Sequence, residues 1–424
     1  MPSVHSPATL RSALTKVRRR LIPFLFLLYI VAYIDRINVG FASLQMNEDL
    51  GFSSTVYGLG AGIFFIGYVL FEIPSNVVLA RVGARLWIAR IMITWGVTSS
   101  AMMLVRSAPA FYALRFLLGA AEAGFFPGIV YYLTRWFPAR ERARAFAAFM
   151  TAAIGAGVIG APLSGALLAL DGVGNLRGWQ WLFLLEGLPA VWLGLLVIAV
   201  MTEEPADAAW LTNEERALIS AAVAEDATRT PNQHALTALR SRRTWLLAIA
   251  YFAIPVGLYG VGFWLPQMVR SASAGAATFT IGVLTAVPYA VGVVAMILVG
   301  RRSDRAGERR GHVFVAAVVC AAGLVLTPLG SSVGWTISAL SIAMAGLASM
   351  LGPFWALTTG SMRGVGAAAA IALVNSVGNT GGFVGPFLLG AINDRTHSFS
   401  TGLYAIAAML MVSAALVFAV GDRE

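Results

Sequence analysis

The sequence predicts an all-α polytopic membrane protein with twelve transmembrane helices in two pseudo-symmetric six-helix bundles. Three observations lead to this fold class. Hydrophobic residues make up 58% of the 424 residues and charged residues 12%, against about 45–50% and 25% in soluble domains. Apolar runs long enough to cross a bilayer recur along the chain. Two motifs of the first half return in the second half.

Twelve apolar runs each approach the length of about 20 residues that a helix needs to cross a bilayer. They lie at 21–43, 58–80, 87–105, 109–133, 146–169, 180–201, 245–269, 278–300, 312–329, 334–359, 366–391 and 402–420. One long polar stretch separates six runs from six. We therefore predict an N-terminal bundle in residues 1–201, a linker in 202–243 and a C-terminal bundle in 244–424.

The linker contains WLTNEERALISAAVAED, which predicts an amphipathic helix capped by Thr212 or Asn213. Leu218, Ile219 and Val223 share one side of it. This helix either lies on the membrane surface or makes a regulatory contact.

Basic residues exceed acidic residues by ten. In a soluble protein this surplus would suggest nucleic acid. In a membrane protein, Lys and Arg accumulate in cytoplasmic loops. The Arg-rich segments precede the first run and follow the second, fourth, sixth and eighth, all on the side of the N-terminus. We predict cytoplasmic N- and C-termini, the lipid bilayer as surroundings and no nucleic-acid partner.

Two motifs repeat six runs apart. GAGVIGAPLSG in the fifth run matches GNTGGFVGPFLLG in the eleventh, and a basic loop follows both the second and the eighth run. The loop residues that we assign to a cytoplasmic gate are Arg81, Gly83, Arg85, Gly300, Asp304, Arg305, Gly307 and Arg309. Duplicated six-helix halves are typical of transporters, and small residues let helices approach closely.

Asp35 and Arg36 lie about 20 Å into the first run at 1.5 Å per residue. A charged side chain at the bilayer centre costs about 2.5–3.5 kcal/mol on insertion scales, so the chain keeps it only beside protein or water. Neighbours on a helix point about 100° apart. One of the two therefore faces a cavity and the other a partner helix, unless both belong to a fixed ion pair.

Arg115 and Glu122 in the fourth run are seven residues apart and share one helix face. Arg115 is at a height that allows it to meet Asp35, and Glu122 lies deeper. A buried carboxylate can take up a proton, and an Arg beside it offers two parallel hydrogen bonds to a substrate carboxylate. The set predicts proton-coupled anion uptake, with mutual neutralisation of all four groups as the alternative.

Other polar side chains at membrane depth carry weaker signals. Tyr68, Asn375 and Asn379 either bind substrate or bond to a neighbouring helix. Glu72 is expected to reach the membrane surface or a loop Arg, and Glu186 to be structural.

Several functional classes lack their signatures. The chain has no P-loop for ATP, and Cys320 is its single cysteine. The four His residues have no metal-ligand spacing. We expect no enzyme activity, no metal and no cofactor.

The segments YIDRINVGFA, RFLLGAAEAGFFPGIVYYLTRWFPARERARA, GWQWLFLLEGLPA and GRRSDRAGERR resemble the major facilitator superfamily, and within it the anion:cation symporters. The similarity is greatest to the bacterial branch that handles tartrate, phthalate and hydroxyphenylacetate. The resemblance implies two bundles that rock about a central site. It also implies protonation at Asp35 and Glu122. The residues implied in anion binding, charge pairing or substrate contact are Arg36, Arg115, Tyr68 and Asn379.

Together these features predict a monomeric symporter of the bacterial inner membrane that imports a small organic carboxylate with protons. An exchanger, a carrier of a neutral solute such as a sugar, and a non-transporting receptor are the alternatives.

Overall fold

The computed structural model describes residues 7–228, 240–360 and 364–420, and in these ranges the fold is helical without strands. The helices are α1 (Pro7–Leu50), α2 (Ser54–Val82), α3 (Ala84–Ala101), α4 (Ala108–Glu122), α5 (Phe125–Trp136), α6 (Ala139–Leu168), α7 (Gly178–Val200), α8 (Asn213–Thr228), α9 (Arg242–Ala272), α10 (Thr278–Ala306), α11 (Arg310–Leu326), α12 (Val333–Gly360), α13 (Gly364–Thr396) and α14 (Ser400–Ala419). The predicted all-α class is confirmed.

Every predicted run falls on one of these helices, with α4 and α5 together forming the fourth. Among the described residues, nine helices or helix pairs are long and apolar enough to cross a membrane by themselves. The protein is therefore a multi-pass membrane protein, and its helices are compatible with twelve spans. We call the side where α1 begins and α14 ends the terminal face, and the opposite side the distal face.

The fourth span contains a break that the sequence analysis did not anticipate. Pro127 has no N–H, so the carbonyl of Ala123 lacks its helical donor. The Ser75 hydroxyl of α2 donates to that carbonyl at 2.6 Å instead. Gly124 has a φ of 88°, which favours glycine. The break follows directly after Glu122 and fixes the end of the helix that carries it.

The two sets of six spans meet along α2 against α13 and along α6 against α10. Glycines permit this contact: a Cβ on Gly58 would lie 2.5 Å from the carbonyl oxygen of Pro386, and one on Gly282 would lie 2.4 Å from that of Ala161. Backbone therefore packs on backbone between the halves. The division at residues 201 and 243 stays a prediction.

Helix α8 of the linker packs on α1 and α5. Thr212 caps it: its hydroxyl accepts from the Glu215 N–H at 3.2 Å, and the Glu215 carboxylate accepts from the Thr212 N–H at 3.0 Å. Lys16 of α1 pairs with Glu215, and Ile219 is fully buried. The predicted cap at Thr212 is confirmed. Leu218 and Val223 on the same side are half-buried. The choice between a membrane-surface position and a regulatory contact stays a prediction.

Candidate functional site

Asp35 points from α1 towards α3, inside the N-terminal half. Its carboxylate accepts hydrogen bonds from the Trp95 indole at 2.6 Å and from the Ser99 hydroxyl. The Asn38 amide, one turn along α1, donates to it at 3.2 Å. The side chain is 1% exposed. Asp35 is thus held by neutral donors, without a cation in direct contact among the residues described.

Arg36 points the other way, to the place where the two halves meet. It forms an ion pair with Glu122 of α4 and donates to the Tyr259 hydroxyl of α9 at 3.0 Å. Arg36 is 8% exposed and Glu122 1%. The two neighbouring charges therefore face different surroundings, as their spacing on the helix requires. Arg36 connects both halves at the centre of the protein.

Aromatic rings surround the Arg36 guanidinium. Its central carbon lies 4.9 Å from the ring centre of Tyr33, 5.4 Å from Phe64 and 5.6 Å from Tyr68. Cation–π attraction holds the guanidinium while leaving hydrogen-bond donors for an anion. Tyr68 was predicted as a site residue, whereas Tyr33 and Tyr259 were not. Tyr33 lies three residues before Arg36 and therefore on the same face of α1. This spacing could have identified Tyr33 as a site residue from the sequence.

Arg115 is fully buried and binds backbone. Its Nε donates to the carbonyl of Gly60 at 3.2 Å and a terminal nitrogen donates to the carbonyl of Ala61 at 3.0 Å. The prediction that Arg115 contacts Asp35 is therefore wrong, because its guanidinium binds carbonyl groups of α2 and not the Asp35 carboxylate. Spacing along the chain predicts how deep a residue lies in the membrane. It does not predict which neighbouring helix the side chain contacts.

Glu72 connects the halves on the terminal side of Tyr68. Its carboxylate accepts from the Asn375 amide at 3.1 Å and from the Ser376 hydroxyl at 3.5 Å, both on α13. The expectation that Glu72 reaches the surface or a loop Arg is therefore wrong. Asn375 faces this carboxylate, and Asn379 lies half-buried one turn further along α13.

The distal face is closed by polar contacts between the halves. Asp394 of α13 accepts from the N–H groups of Ser54 and Thr55, at 2.9 and 2.7 Å. The Tyr57 hydroxyl donates to the carbonyl of Phe263 at 2.8 Å. Burial opposes ionisation of Asp394, but its hydrogen bonds outweigh burial and lower the pKa of its carboxyl to about 2. Sequence reasoning missed this contact because it joins residues 340 positions apart.

Comparison with known proteins agrees with this architecture. Residues 25–386 match the profile of the family described as Major Facilitator Superfamily. The chain belongs to the major facilitator superfamily. It is a transporter of that family and not an enzyme.

Relatives within the superfamily cover nearly the whole chain. A candidate tartrate transporter of Agrobacterium vitis is 50% identical over 405 residues, which is 95% of this chain and 90% of that protein. A quinolone resistance transporter of Acinetobacter baumannii is 40% identical over 413 residues, or 97% and 95% of the two chains. A crystal structure of a bacterial homologue of the human lysosomal transporter Spinster, inward-facing and occupied, has a TM-score of 0.78 at 17% identity, covering 95% and 96%. This last likeness concerns the fold.

The superfamily's basic loop differs between the two halves. Gly83 and Gly307 both have positive φ, of 96° and 64°, at equivalent turns. In the second copy Asp304 pairs with Arg309 at 2.7 Å. In the first copy Ala80 occupies the position equivalent to Asp304. There the Glu203 carboxylate accepts from the backbone N–H groups of Ala84 and Arg85 at the start of α3. The other predicted loop residues lie at the same terminal face: Arg81, Arg85, Gly300 and Arg305.

Proposed function

We propose that this protein imports a small organic anion across the bacterial inner membrane together with protons, by alternating access. The observation that carries the proposal is the ion pair between Arg36 and Glu122, which the Tyr259 hydroxyl of the other half also contacts. A buried Arg whose partner is a carboxylate can exchange it for the carboxylate of a substrate. The exchange requires that Glu122 lose its charge.

Charge balance then couples the two solutes. Without substrate, Arg36 and ionised Glu122 neutralise each other. With one substrate carboxylate on Arg36 and a proton on Glu122, the site is neutral again. The second carboxylate of a substrate such as tartrate needs a second proton, which Asp35 takes up in the proposed cycle. Substrate alone would leave one uncompensated negative charge, and a proton alone would leave one positive charge. Because an unpaired buried charge is strongly destabilising, only the empty and the fully loaded protein close around the site.

The contacts between the halves support alternating access. Asp394 and Tyr57 join the halves at the distal face, whereas Glu72 and Asn375 join them nearer the terminal face. In the proposed cycle these two sets break alternately. With the termini in the cytoplasm, the distal face is periplasmic, and its closure is the inward-facing half of the cycle.

The substrate class follows from what surrounds Arg36. The hydroxyls of Tyr33, Tyr68 and Tyr259 offer hydrogen bonds beside the guanidinium, which suits a carboxylate bearing hydroxyl groups. Asn379 stays a substrate-site candidate from the sequence. The name of the Agrobacterium relative agrees with this class. In the proposed site Asp35 acts as a second proton acceptor, and Arg115 remains the sequence-derived candidate for a supporting positive charge.

Uptake of radiolabelled tartrate into proteoliposomes with an alkaline interior tests the proposal. The wild-type protein is expected to accumulate tartrate above the external concentration. Glu122→Gln mimics the protonated acid, so it should still exchange tartrate across the membrane but lose gradient-driven accumulation. Asp207→Asn, an exposed acid of the linker, is the matched control. Gradient-driven accumulation by Glu122→Gln would exclude its coupling role, and uptake of neutral sugars but no carboxylates would exclude an anion carrier.

Proton-driven export of a drug is a second candidate, favoured by the name of the Acinetobacter relative. In that case protonation of Glu122 would drive release of the drug in exchange for a proton. Acidifying the interior of the proteoliposomes separates the two, since an antiporter accumulates its substrate with an acidic interior and a symporter with an alkaline one.

A further inference from the structure

A second buried acid lies beside Asp35, outside the proposed substrate site. Glu186 of α7 is 3% exposed. One of its oxygens accepts from the Ser164 hydroxyl of α6 at 2.8 Å. The other, Oε2, is buried without a hydrogen-bond partner, and so is Oδ1 of Asn38. Glu186 and Asn38 are near enough for their side chains to interact. Each of these two acceptor atoms is thus buried without a donor.

A proton supplies the missing donor. Helix α7 packs against α1, α3 and α6. Among the described residues of these helices, Asp35 is the one charged group that acts on Glu186, and it is also an acid. Glu122 and Arg115 also act on Asp35. An ionised Glu186 would therefore be a buried anion without a cation, which is costly. A protonated Glu186 can donate from Oε2 to Oδ1 of Asn38 and satisfy both atoms.

We infer that Glu186 and Asp35 share one proton across the Asn38 amide, so that Glu186 sets how readily Asp35 is protonated during transport. In one state, neutral Glu186 donates to the amide oxygen while the amide nitrogen donates to ionised Asp35. In the other, the amide is turned and the proton is on Asp35. One O–H bond breaks and one forms as water exchanges the proton, and no other bond changes. The inference rests on the proposed proton coupling.

Gln45 and a polar cavity lie on the distal side of this pair. Asn38 and Gln45 are seven residues apart on one face of α1, about 10 Å along its axis. The Gln45 amide donates to the carbonyl of Leu168, one turn beyond Ser164, at 3.1 Å. Beyond it lies a cavity of about 480 Å³, lined by Gln45, Glu48, Asp49, Asp171 and Arg177.

The test is the pH dependence of tartrate uptake by the full-length protein in proteoliposomes. In Glu186→Gln position 186 is always neutral, so Asp35 loses both the shared proton and the nearby negative charge that favours its protonated form. Protonation of Asp35 then needs a higher proton concentration. We expect the midpoint of uptake to move to lower pH by about one unit, or tenfold in proton concentration. Ser413→Ala, which removes a buried hydroxyl that bonds to the backbone carbonyl of Ala250 far from Glu186, should leave the midpoint unchanged.

Ser164→Ala gives an independent measurement if Glu186→Gln does not fold. Losing the Ser164 donor disfavours ionised Glu186, so the midpoint should move in the same direction by a smaller amount. If Glu186→Gln folds and has the midpoint of the wild-type protein, the inference is overturned. If Glu186→Gln cannot be purified, a wild-type midpoint in Ser164→Ala overturns it. If wild-type protein fails to accumulate tartrate under any gradient, the proposed function fails instead, so the two failures are distinguishable.

Discussion

Asp394, near the end of α13, caps the first turn of α2 in the other half of the protein. Its two carboxylate oxygens accept hydrogen bonds from the backbone N–H groups of Ser54 and Thr55, and the neighbouring Asn393 amide donates to the Ser54 hydroxyl at 2.8 Å. A negative charge at a helix N-terminus is favourable because the first N–H groups have no helical acceptor. The contact therefore stabilises closure of the distal face.

Replacing Asp394 with Asn should favour opening of the distal face, since the charge and one of the two acceptor oxygens are lost. Spin labels at the distal ends of α2 and α13 should report a larger share of long distances, consistent with the loss of about 1 kcal/mol for a helix cap. Asp207→Asn is the control for a general effect of charge. An unchanged distance distribution would show that Asp394 does not hold this closure.

The pH dependence of the same closure follows from the lowered pKa of Asp394. A carboxyl with a folded-state pKa of about 2 and an ordinary value of 3.8 stabilises the contact fully above its ordinary value. The stabilisation decreases as pH falls from 3.8 towards 2. Label distances at the distal face should therefore be constant from neutral pH down to about 5, and a shift within that range would contradict the assignment.

Glycine at position 58 is required for the approach of α2 to α13. A Cβ there would lie 2.5 Å from the Pro386 carbonyl oxygen, which belongs to the backbone and cannot turn aside. We expect Gly58→Ala to separate the distal ends and to slow uptake severalfold. Gly334→Ala, at a helical position with open space around the added Cβ, should behave as wild type. Equal uptake by the two variants would show that transport does not require the close approach of α2 to α13 at Gly58.

Hydrophobic length was sufficient to predict the helices, because a span needs little more than an apolar run. The break at Ala123–Gly124 was not predicted, although Pro127 lies four residues after Ala123 and removes its helical donor. The donor that replaces it, Ser75, comes from another helix. Periodicity within one helix carries no information about such a contact.

The sequence predicted which charged residues lie within the membrane, but it did not predict which of them contact each other. Spacing on α1 required Asp35 and Arg36 to diverge, and they do. Which of them would meet Glu122 depends on helix rotation, which adjacent spacing does not determine. Tyr259 and Asp394 escaped notice because their partners lie in the other half of the chain.

Arg115 provides a test of the role that the sequence suggested. Because its donors bind the carbonyls of Gly60 and Ala61, Arg115→Lys should lower the melting temperature through loss of one of these hydrogen bonds. The affinity for tartrate should change less than in Arg36→Lys, which cannot make two parallel bonds to a carboxylate. Calorimetric titration of both purified variants gives the comparison. A larger loss of affinity in Arg115→Lys would return Arg115 to the substrate site.

The Arg36–Glu122 pair predicts a non-additive effect on stability. Removing one member leaves the other as an unpaired buried charge, at a cost of about 3–5 kcal/mol. Arg36→Gln should therefore lower the melting temperature in detergent strongly. In Glu122→Gln the Tyr259 hydroxyl and three aromatic rings still surround the cation, so the decrease should be smaller. The double variant, with two neutral amides that can bond to each other, should be more stable than Arg36→Gln alone. Additive decreases would show that the two side chains are not coupled.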